Sequence, residues 1–534
     1  MIWLLEIKAA GGPLRYASAP VVVDGVTFAA GLSPFELTRD ETLSEIGVEI
    51  TDQSETWRPE SGEPARLELF DPSTGRVLPI LEGLTADPEY ANPGQPHTLS
   101  VSIRAAVQAT VLYPPASASV SPATWAGPAE LVDPDSVGVN VAGFDEMITN
   151  AAYPTIIGYP GAGERNTTTP GLSAPCLPVG IAIGDHVLLL SLGKIEATTV
   201  KVFDLDDTFK VRAEDHLGNP VYDADGSEFF APGPVMLYQD IAVTQTTDLL
   251  GQTVSVAVVP TASSPWKEFL GGQLGHRYAC GYTSASGYGG GVIEGGQVLR
   301  GLGDVIMWAL TKGGVRVDTA RQRAHLADLN TSKIDTVLNT PASDLPQMVD
   351  SQFAGTFNLL RVQTASGLYY RRKVANPQAI QAVRHLSVER RDIDRRASVR
   401  EAMRSVATSF SLEYGWMPFS NRYMYSLRAE GAAGVGVNVV VPELAKSVGT
   451  EAKPITTMLT WDRNTAARML GDLALLIGRM WLRTTYEGDE LIDLEPGDIV
   501  TITDPEAGLN MRPVAITAVT LGGPRVSIDV SWPK

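Results

Sequence analysis

Short runs in which apolar and polar residues alternate recur along most of the sequence, and this period of two constrains the fold more than any other feature. Successive side chains of a β-strand point to opposite faces, so each run predicts a strand with one buried face. The runs include TLSVSIRA near residue 100, TVSVAVV near residue 255 and PRVSIDVSW at 524–532. A chain built from many such runs is expected to be mainly β.

Turn residues join several of these runs into predicted hairpins. Asp24-Gly25 separates two apolar runs in PVVVDGVTF, and a pair of this kind is a strong hairpin signal because both residues tolerate a positive φ. The stretch Asp71–Gly75 separates RLELF from RVLPIL in the same way. The chain of 534 residues is 44% hydrophobic and has two cysteines, which excludes an intrinsically disordered protein and a disulfide scaffold.

Helical periodicity appears only in the second half of the chain. Predicted helices lie at about 298–310, 344–353, 399–410 and 463–482. The third begins with the capping-box pattern Ser398–Glu401, and the longest follows Asp462 as its cap. The longest helix carries an apolar stripe, a candidate interface with another protomer unless the subunit's own core uses it. The stripe includes Met469, Leu473, Ile477 and Trp481.

These elements predict a multidomain α+β protein, mainly β with some α, in which β-barrel domains carry embedded helices in the C-terminal half. The phrase Gly184-Asp185 returns as Gly497-Asp498 before a second strand, which leaves open an internal duplication of barrels. The predicted units are an acidic β domain (1–112), a linker rich in Pro, Ser and Ala (113–128), a second β domain (129–262), a Gly-rich connection (263–297), an α+β domain (298–455) and a helix with C-terminal barrel strands (456–534).

A search for catalytic motifs is negative, and we expect no enzyme activity and no cofactor. The sequence has no phosphate-binding loop, zinc-protease helix or serine-nucleophile elbow. The tract GYGGGVIEGG has the wrong spacing for a dinucleotide site and is expected to be a surface loop. The richest cluster of oxygen ligands is a weak calcium candidate, because it lacks the closing glutamate of an EF-hand loop. Its candidate ligands are Asp223, Asp225 and Glu228.

Charge is spread unevenly along the chain, which has a formal net charge of −19. The first 100 residues carry a net −10, whereas residues 361–404 carry a net +7. The basic segment predicts either a surface neutralised within the chain, by acids such as Glu389, Asp392 and Asp394, or a docking patch for an acidic neighbour. The interface candidates in it are Arg371, Arg372, Lys373, Arg390 and Arg391.

The C-terminal half resembles a known family of particle proteins. The succession RGLGDVIMWALTKGGVRVD, SVREAMRSVATSFSLEYGWMPFSNRYMYSL, RNTAARMLGDLALLIGRMWLRTTY and LEPGDIVTITDPEAG is similar to the tail tip (baseplate) hub proteins of siphophages and gene-transfer agents. The resemblance covers about residues 298–534 and rests on the order of elements and the phrase around Gly497-Asp498. It implies tail-tube-like β-barrel domains.

The same resemblance implies a structural virion protein, assembled in the host cytoplasm as a homotrimer, that closes the tail tube and opens for DNA ejection. Its implied partners are the distal tail protein, the C-terminus of the tape measure protein, and tail fibre or central tip proteins. DNA would be met only in passage, because an acidic wall lowers phosphate affinity.

Two other functions are consistent with the sequence. The chain could form the distal tail or adaptor ring of the same particle. It could instead be a carbohydrate-binding receptor module or glycosidase that uses exposed tryptophans as stacking platforms. The candidates for that role are Trp57, Trp125 and Trp266. The sequence has no run of 18 apolar residues, so we expect no membrane insertion.

Overall fold

We describe the fold from a computed structural model of the chain. It describes residues 1–40, 45–51, 60–90, 98–105, 154–160, 174–182, 185–212, 230–247, 253–260, 278–283, 291, 293–294, 296–338, 345–402, 406–417, 422–430, 439–441, 444, 450–451, 454–522 and 525–534. The candidate calcium ligands and the three candidate sugar-stacking tryptophans lie outside these residues.

An eight-stranded sheet forms from the N-terminal residues. Its strand order is β3-β4-β2-β1-β7-β8-β9-β6, and the predicted hairpins at Asp24-Gly25 and Asp71–Gly75 are confirmed. Asp24 and Gly25 both have positive φ, as the tight turn requires. The strands of this region are β1 (Ile2–Ala9), β2 (Gly12–Ala17), β3 (Val21–Val23), β4 (Val26–Ala30), β5 (Leu37–Arg39), β6 (Glu45–Thr51), β7 (Pro64–Asp71), β8 (Arg76–Tyr90) and β9 (Thr98–Ala105).

A closed six-stranded barrel follows, with the order β11-β12-β15-β14-β13-β16. Its flanking strand β10 pairs with a strand of the helical region, so the barrel is joined to that region by backbone hydrogen bonds. The strands are β10 (Thr155–Ile157), β11 (Ala174–Ala182), β12 (Asp185–Leu192), β13 (Thr199–Arg212), β14 (Phe230–Thr247), β15 (Thr253–Pro260) and β16 (Tyr278–Thr283).

Helices and short hairpins occupy the middle of the chain. Gly313 and Gly314 end the first helix, as the sequence predicts, and Asp318 caps the second by accepting from the Arg321 N–H. The elements are β17 (Ile293–Glu294), β18 (Gln297–Val298), α1 (Leu302–Lys312), α2 (Thr319–Leu329), β19 (Thr336–Leu338), α3 (Leu345–Met348) with a π-helical turn at Val349–Ala354, β20 (Leu359–Thr364) and β21 (Gly367–Arg372).

The C-terminal region builds a second large sheet and a smaller one. The large sheet runs β22-β31-β32-β33-β30-β23, and the small one centres on the β25–β26 hairpin. The elements are β22 (Arg384–Ser387), β23 (Asp394–Arg395), β24 (Arg400–Glu401), β25 (Ala407–Met417), β26 (Arg422–Glu430), β27 (Val439–Val440), β28 (Thr450–Glu451), β29 (Ile455–Thr456), α4 (Arg463–Ile477), β30 (Trp481–Gly488), β31 (Ile499–Asp504), β32 (Leu509–Leu521) and β33 (Val526–Pro533).

The N-terminal and C-terminal sheets share one hydrophobic core. Leu67 and Val101 of the first sheet pack in the same cluster as Ile502 and Ile528 of the second. Strand β5 crosses between them, because it pairs with β32 although about 480 residues separate the two in sequence. Each fully buried aliphatic side chain contributes roughly 1.5–3 kcal/mol, so neither sheet can leave the other without exposing a large apolar face.

The helix predicted at 399–410 is wrong. Arg400 and Glu401 instead pair with β30, and β25 begins at Ala407. Phe410, Leu412 and Tyr414 are buried at a spacing of two, which a strand satisfies and a helix does not. The capping-box pattern is local, and pairing with a strand 80 residues away overrides it.

The other predicted helices are confirmed with shifted ends. The Asp462 cap is present, with its carboxylate accepting from the Thr465 N–H at 2.7 Å, but α4 ends at Ile477 and Trp481 begins β30. The sequence does not predict helix α2, because its buried side chains are only Gln322 and Leu329. It therefore lacks the apolar face that identifies a helix in a sequence.

The glycine-rich tract is partly structural. Gly291 donates its N–H to Gly158 O at 2.7 Å and accepts from the Glu196 N–H at 3.2 Å. A Cβ at position 291 would stand 2.3 Å from Ile156 O, so only glycine fits this close approach. The expectation of a plain surface loop therefore fails at Gly291.

We expect Leu67→Ala and Ile528→Ala, on opposite sheets, each to lower the free energy of unfolding by about 2–5 kcal/mol. Because the two sheets share a core, both variants should lower the same calorimetric transition. Val22→Ala, at a side chain 61% exposed, is the control and should change stability by less than about 0.5 kcal/mol. Separate transitions for the two sheets would contradict the shared core.

Candidate functional site

A buried network of charged side chains lies where the N-terminal strand β5, helix α2, strand β21 and the turn before β31 meet. Strand pairing with β32 places Arg39, and the first turn of α2 places Arg321. Glu495 belongs to a tight turn in which its N–H donates to the Asp498 Oδ2 at 2.9 Å. Four segments far apart in sequence therefore converge on one carboxylate.

Glu495 is the centre of this network. Its Oε1 accepts from Arg39 Nη2 at 3.1 Å, and its Oε2 accepts from the Tyr369 hydroxyl at 2.9 Å and from Arg321 Nη1. Arg39 and Glu495 are each 8% exposed. A buried ion pair costs desolvation energy unless further hydrogen bonds satisfy its atoms, and here three donors from three elements surround the carboxylate.

A second pair extends the network. Arg371 Nη1 donates to Asp498 Oδ1 at 2.9 Å, and the same aspartate orders the Glu495 turn. The His325 ring stacks on the Tyr369 ring with centroids 5.7 Å apart, beside the Arg371 and Arg321 cations. Two carboxylates thus face three arginines and one histidine.

Burial shifts the ionisation of the network. Desolvation, aided by repulsion from Arg321, lowers the pKa of Arg39 to about 10, so the side chain stays charged at neutral pH. Burial raises the pKa of Tyr369 and keeps its hydroxyl a donor. Burial also lowers the pKa of His325, and the nearby Arg371 and Arg321 cations act in the same direction.

The side-chain amide of Gln322 holds helix α2 against β21 by bonding to the backbone of that strand. Gln322 donates Nε2 to Tyr370 O at 3.2 Å and accepts from the Tyr370 N–H at 2.9 Å. The buried Asp318 cap accepts from Thr364 Oγ1 at 2.8 Å. These bonds hold Arg321 and His325 in place over Tyr369.

A separate buried pair lies within the helical region and is bonded to the segment that follows β10. Asp335 is fully buried and accepts from Arg300 Nε at 2.7 Å and from the Tyr159 N–H at 2.8 Å. Burial raises the pKa of Asp335 even though Arg300 pairs with it. The Arg300 guanidinium also lies 4.9 Å from the centre of the Tyr159 ring.

The carboxylates of the network are bonded within the chain. Both oxygens of Glu495 and both oxygens of Asp498 accept from donors of the same chain. Across the described part of the chain, no three His, Cys, Asp or Glu side chains form a group able to hold a metal ion. No helix among the described residues is long and apolar enough to cross a membrane.

The predicted basic patch is largely paired within the chain. Arg371 bonds Asp498, and Arg372, with a side chain 9% exposed, lies 3.3 Å from Asp328. Lys373 is half-buried directly after β21, and its N–H donates to Asn358 O at 2.7 Å. The interface role of these residues stays a prediction. In the folded chain each of them already bonds to a group of the same subunit.

The remaining interface candidates fall in two places. Arg390 and Arg391 are exposed in the turn after β22, with Arg390 2.9 Å from Asp392. Met469 is buried in the core of the helical region, and Leu473 and Ile477 pack against that core. The apolar stripe of α4 is therefore used by the subunit itself. Trp481 is buried in β30 and donates its indole N–H to Leu476 O at 2.7 Å.

Sequence reasoning missed Arg39, Arg321 and Glu495. They are single charged residues in unremarkable local contexts, and only the folded chain brings them together. The phrase Gly497-Asp498 was the nearest signal, because Gly497 adopts a φ of 90° in the same turn.

The chain is structurally similar to prophage tail proteins. One is the 43 kDa tail protein of prophage MuSo2 from Shewanella oneidensis, with a TM-score of 0.37 and 10% identity over 99% of this chain and 97% of that one. Another is a tail protein from Neisseria meningitidis MC58, with a TM-score of 0.36 and 9% identity over 100% and 96% of the two chains.

A chain of a native gene transfer agent virion is also similar, with a TM-score of 0.38 and 12% identity over 65% of this chain and 77% of that one. No family model and no curated protein sequence matches. At TM-scores below 0.5, these similarities identify what the chain resembles and no more.

We expect Glu495→Gln to lower the free energy of unfolding by on the order of 3 kcal/mol or more, because it leaves the buried Arg39 without its counter-charge. Urea denaturation measures the change. Glu506→Gln is the matched control, since its side chain is 82% exposed although it too pairs with an arginine, and should cost about 0–1 kcal/mol. Equal losses in the two variants would contradict a central role for Glu495.

Stability should depend on the protonation of His325. The fold lowers its pKa, so the unfolded chain, with a pKa of about 6.5, binds this proton more tightly. The contribution is fully present above about pH 6.5 and is lost as the pH falls towards the folded pKa. His325→Asn should flatten the fall of the urea midpoint as the pH drops below about 6.5. An unchanged slope in His325→Asn would contradict this prediction.

Proposed function

We propose that the chain is a structural protein of a phage-type tail tip, a hub that closes the end of the tail tube and connects it to fibres. The observation that supports this most is the single body made by the N-terminal and C-terminal sheets. The helical region is inserted between them in sequence and is held by ion pairs to Glu495 and Asp498, and the pairing of β10 with β19 joins the barrel to it. The body formed by the two sheets suits a connector that carries mechanical load, because the sheets cannot separate without breaking a common core.

The pairing of buried acids with arginines supports a non-enzymatic role. Among the described residues, the buried acids Glu495, Asp335 and Asp504 each face an arginine of another element and act as links. Asp504 also accepts from the Tyr486 hydroxyl at 2.9 Å. Catalytic acids would instead converge on an open cleft.

A trimer is the assembly we propose. Each subunit offers two sheet-based modules, one from each end of the chain, so that three subunits would present six modules to a sixfold distal tail ring. The further partners would be the C-terminus of the tape measure protein on the tube side and fibres or central tip proteins on the outer side. The chain would thus be located in the virion, at the tail tip, and take part in opening for DNA ejection.

The net charge of −19 fits a passage for DNA better than a surface that binds it. In this proposal the acidic N-terminal module faces the path of the nucleic acid. Phosphates would then meet a wall that repels them and pass without being held.

Mass photometry of the purified full chain tests the assembly. We expect a species of three subunits, each of 57.0 kDa, that binds a preformed distal tail ring. A six-subunit ring would instead identify a distal tail or adaptor protein. A monomer that does not bind the ring but binds glycans on an array would overturn the proposal in favour of a carbohydrate-binding module.

A further inference from the structure

A cleft lies across the outer face of the C-terminal sheet, the face turned away from the shared core. Its volume is about 470 Å³, within the roughly 300–1,000 Å³ of clefts that hold ligands. Trp481, Leu476 and Leu360 contribute apolar side chains to the lining, and Lys373 and Arg483 contribute cations, with Arg483 two residues from Trp481 on the same face of β30. The cleft therefore combines an apolar surface with cationic groups.

The walls of the cleft are preformed. The Trp481 indole is fixed by its bond to Leu476 O, and the Arg479 guanidinium lies 5.3 Å from the centre of the ring. The floor is made of small residues of β32 and β33, with Ala515 directly opposite Ser531 in the sheet. A bulge between Ile516 and Ala518 bends the strand at this point.

Two arginines face each other at the edge of the cleft, one that lines it and one on the next strand of the sheet. Arg400 of β24 is directly opposite Arg483 of β30, so both side chains emerge on the same face with Cβ atoms about 4.5–5.5 Å apart. Both are exposed, and among the described residues neither forms an ion pair. Like charges in this position destabilise a sheet. An anion between the two guanidinium groups would relieve this repulsion.

We propose that this cleft binds an acidic peptide segment of a partner protein, with a carboxylate between Arg400 and Arg483 and a neighbouring apolar side chain against Trp481. The paired cations and the small residues Ser531 and Ala515 lie in one row across adjacent strands, and Trp481 lies two residues from Arg483 along β30. That order matches an extended segment whose side chains are an acid and an apolar residue.

The surroundings exclude a long polyanion. Asp40 lines the opposite part of the cleft, and Asp529 lies on the same face two positions along β33 from Ser531, the residue opposite Arg483. Glu401, next to Arg400, is itself 3.3 Å from Lys534. A nucleic acid backbone that followed the two arginines would meet these carboxylates, whereas a single carboxylate would not.

The test uses the isolated full chain, so it is independent of whether the protein acts as a tail hub. The probe is an array of synthetic peptides that vary the spacing between one Glu and one Phe or Leu, each with a matched Gln version. The tightest peptide is then measured by fluorescence polarisation beside a labelled oligothymidylate. We expect the acidic peptide to bind at least about tenfold more tightly than its Gln version and than the oligonucleotide.

Variants separate binding from folding. Arg400→Glu should create a cross-strand pair with Arg483, raise the melting temperature, and weaken peptide binding by at least about tenfold. Thr517→Trp, at an exposed residue of the cleft, should block binding without removing a charge. Arg323→Gln, an exposed arginine of α2, is the control and should bind as the unchanged chain does.

Three results would overturn the proposal. They are the absence of any acidic peptide that binds better than its Gln version, unchanged binding in Arg400→Glu and Thr517→Trp, and tighter binding of the oligonucleotide than of the peptide.

Discussion

The carboxylate of Glu495 holds three parts of the molecule together. Arg39 reaches it from the N-terminal region, Arg321 and Tyr369 reach it from the helical region, and its own turn leads into the C-terminal sheet. A charge in this position is tolerated only while all its partners are present, so the network enforces one relative arrangement of the three parts. Hydrophobic burial supplies most of the free energy, and the charges specify the geometry in which it is gained.

The positive charge of the basic segment is largely neutralised inside the subunit. The basic segment 361–404 supplies arginines to acids of the C-terminal region, for example Arg371 to Asp498 and Arg395 to Asp504. Among the described residues, one departure from this pairing is Arg400, which strand register places opposite a second cation, Arg483. The two guanidinium groups repel each other at this surface, and binding of an anionic partner would relieve that repulsion.

Local signals predicted local structure. The Asp24-Gly25 hairpin, the Asp462 cap and the alternation of Val526, Ile528 and Val530 depend on neighbours in sequence, and each was confirmed. The mainly β fold class with helices in the C-terminal half followed from them. The short strand at Arg400–Glu401, helix α2 and the Glu495 network could not be predicted, because contacts with distant segments decide all three.

The pairing of β5 with β32 also governs when the molecule can finish folding. Residues 37–39 leave the ribosome long before residues 519–521 exist, so their place in the C-terminal sheet stays empty through most of synthesis. Contacts this far apart in sequence form late and slowly. Until the C-terminal strands have been made, the apolar face of the N-terminal sheet has no partner to pack against. Translation that stops before β32 would leave this face exposed. The shared core would then be complete only in chains whose translation has passed residue 530.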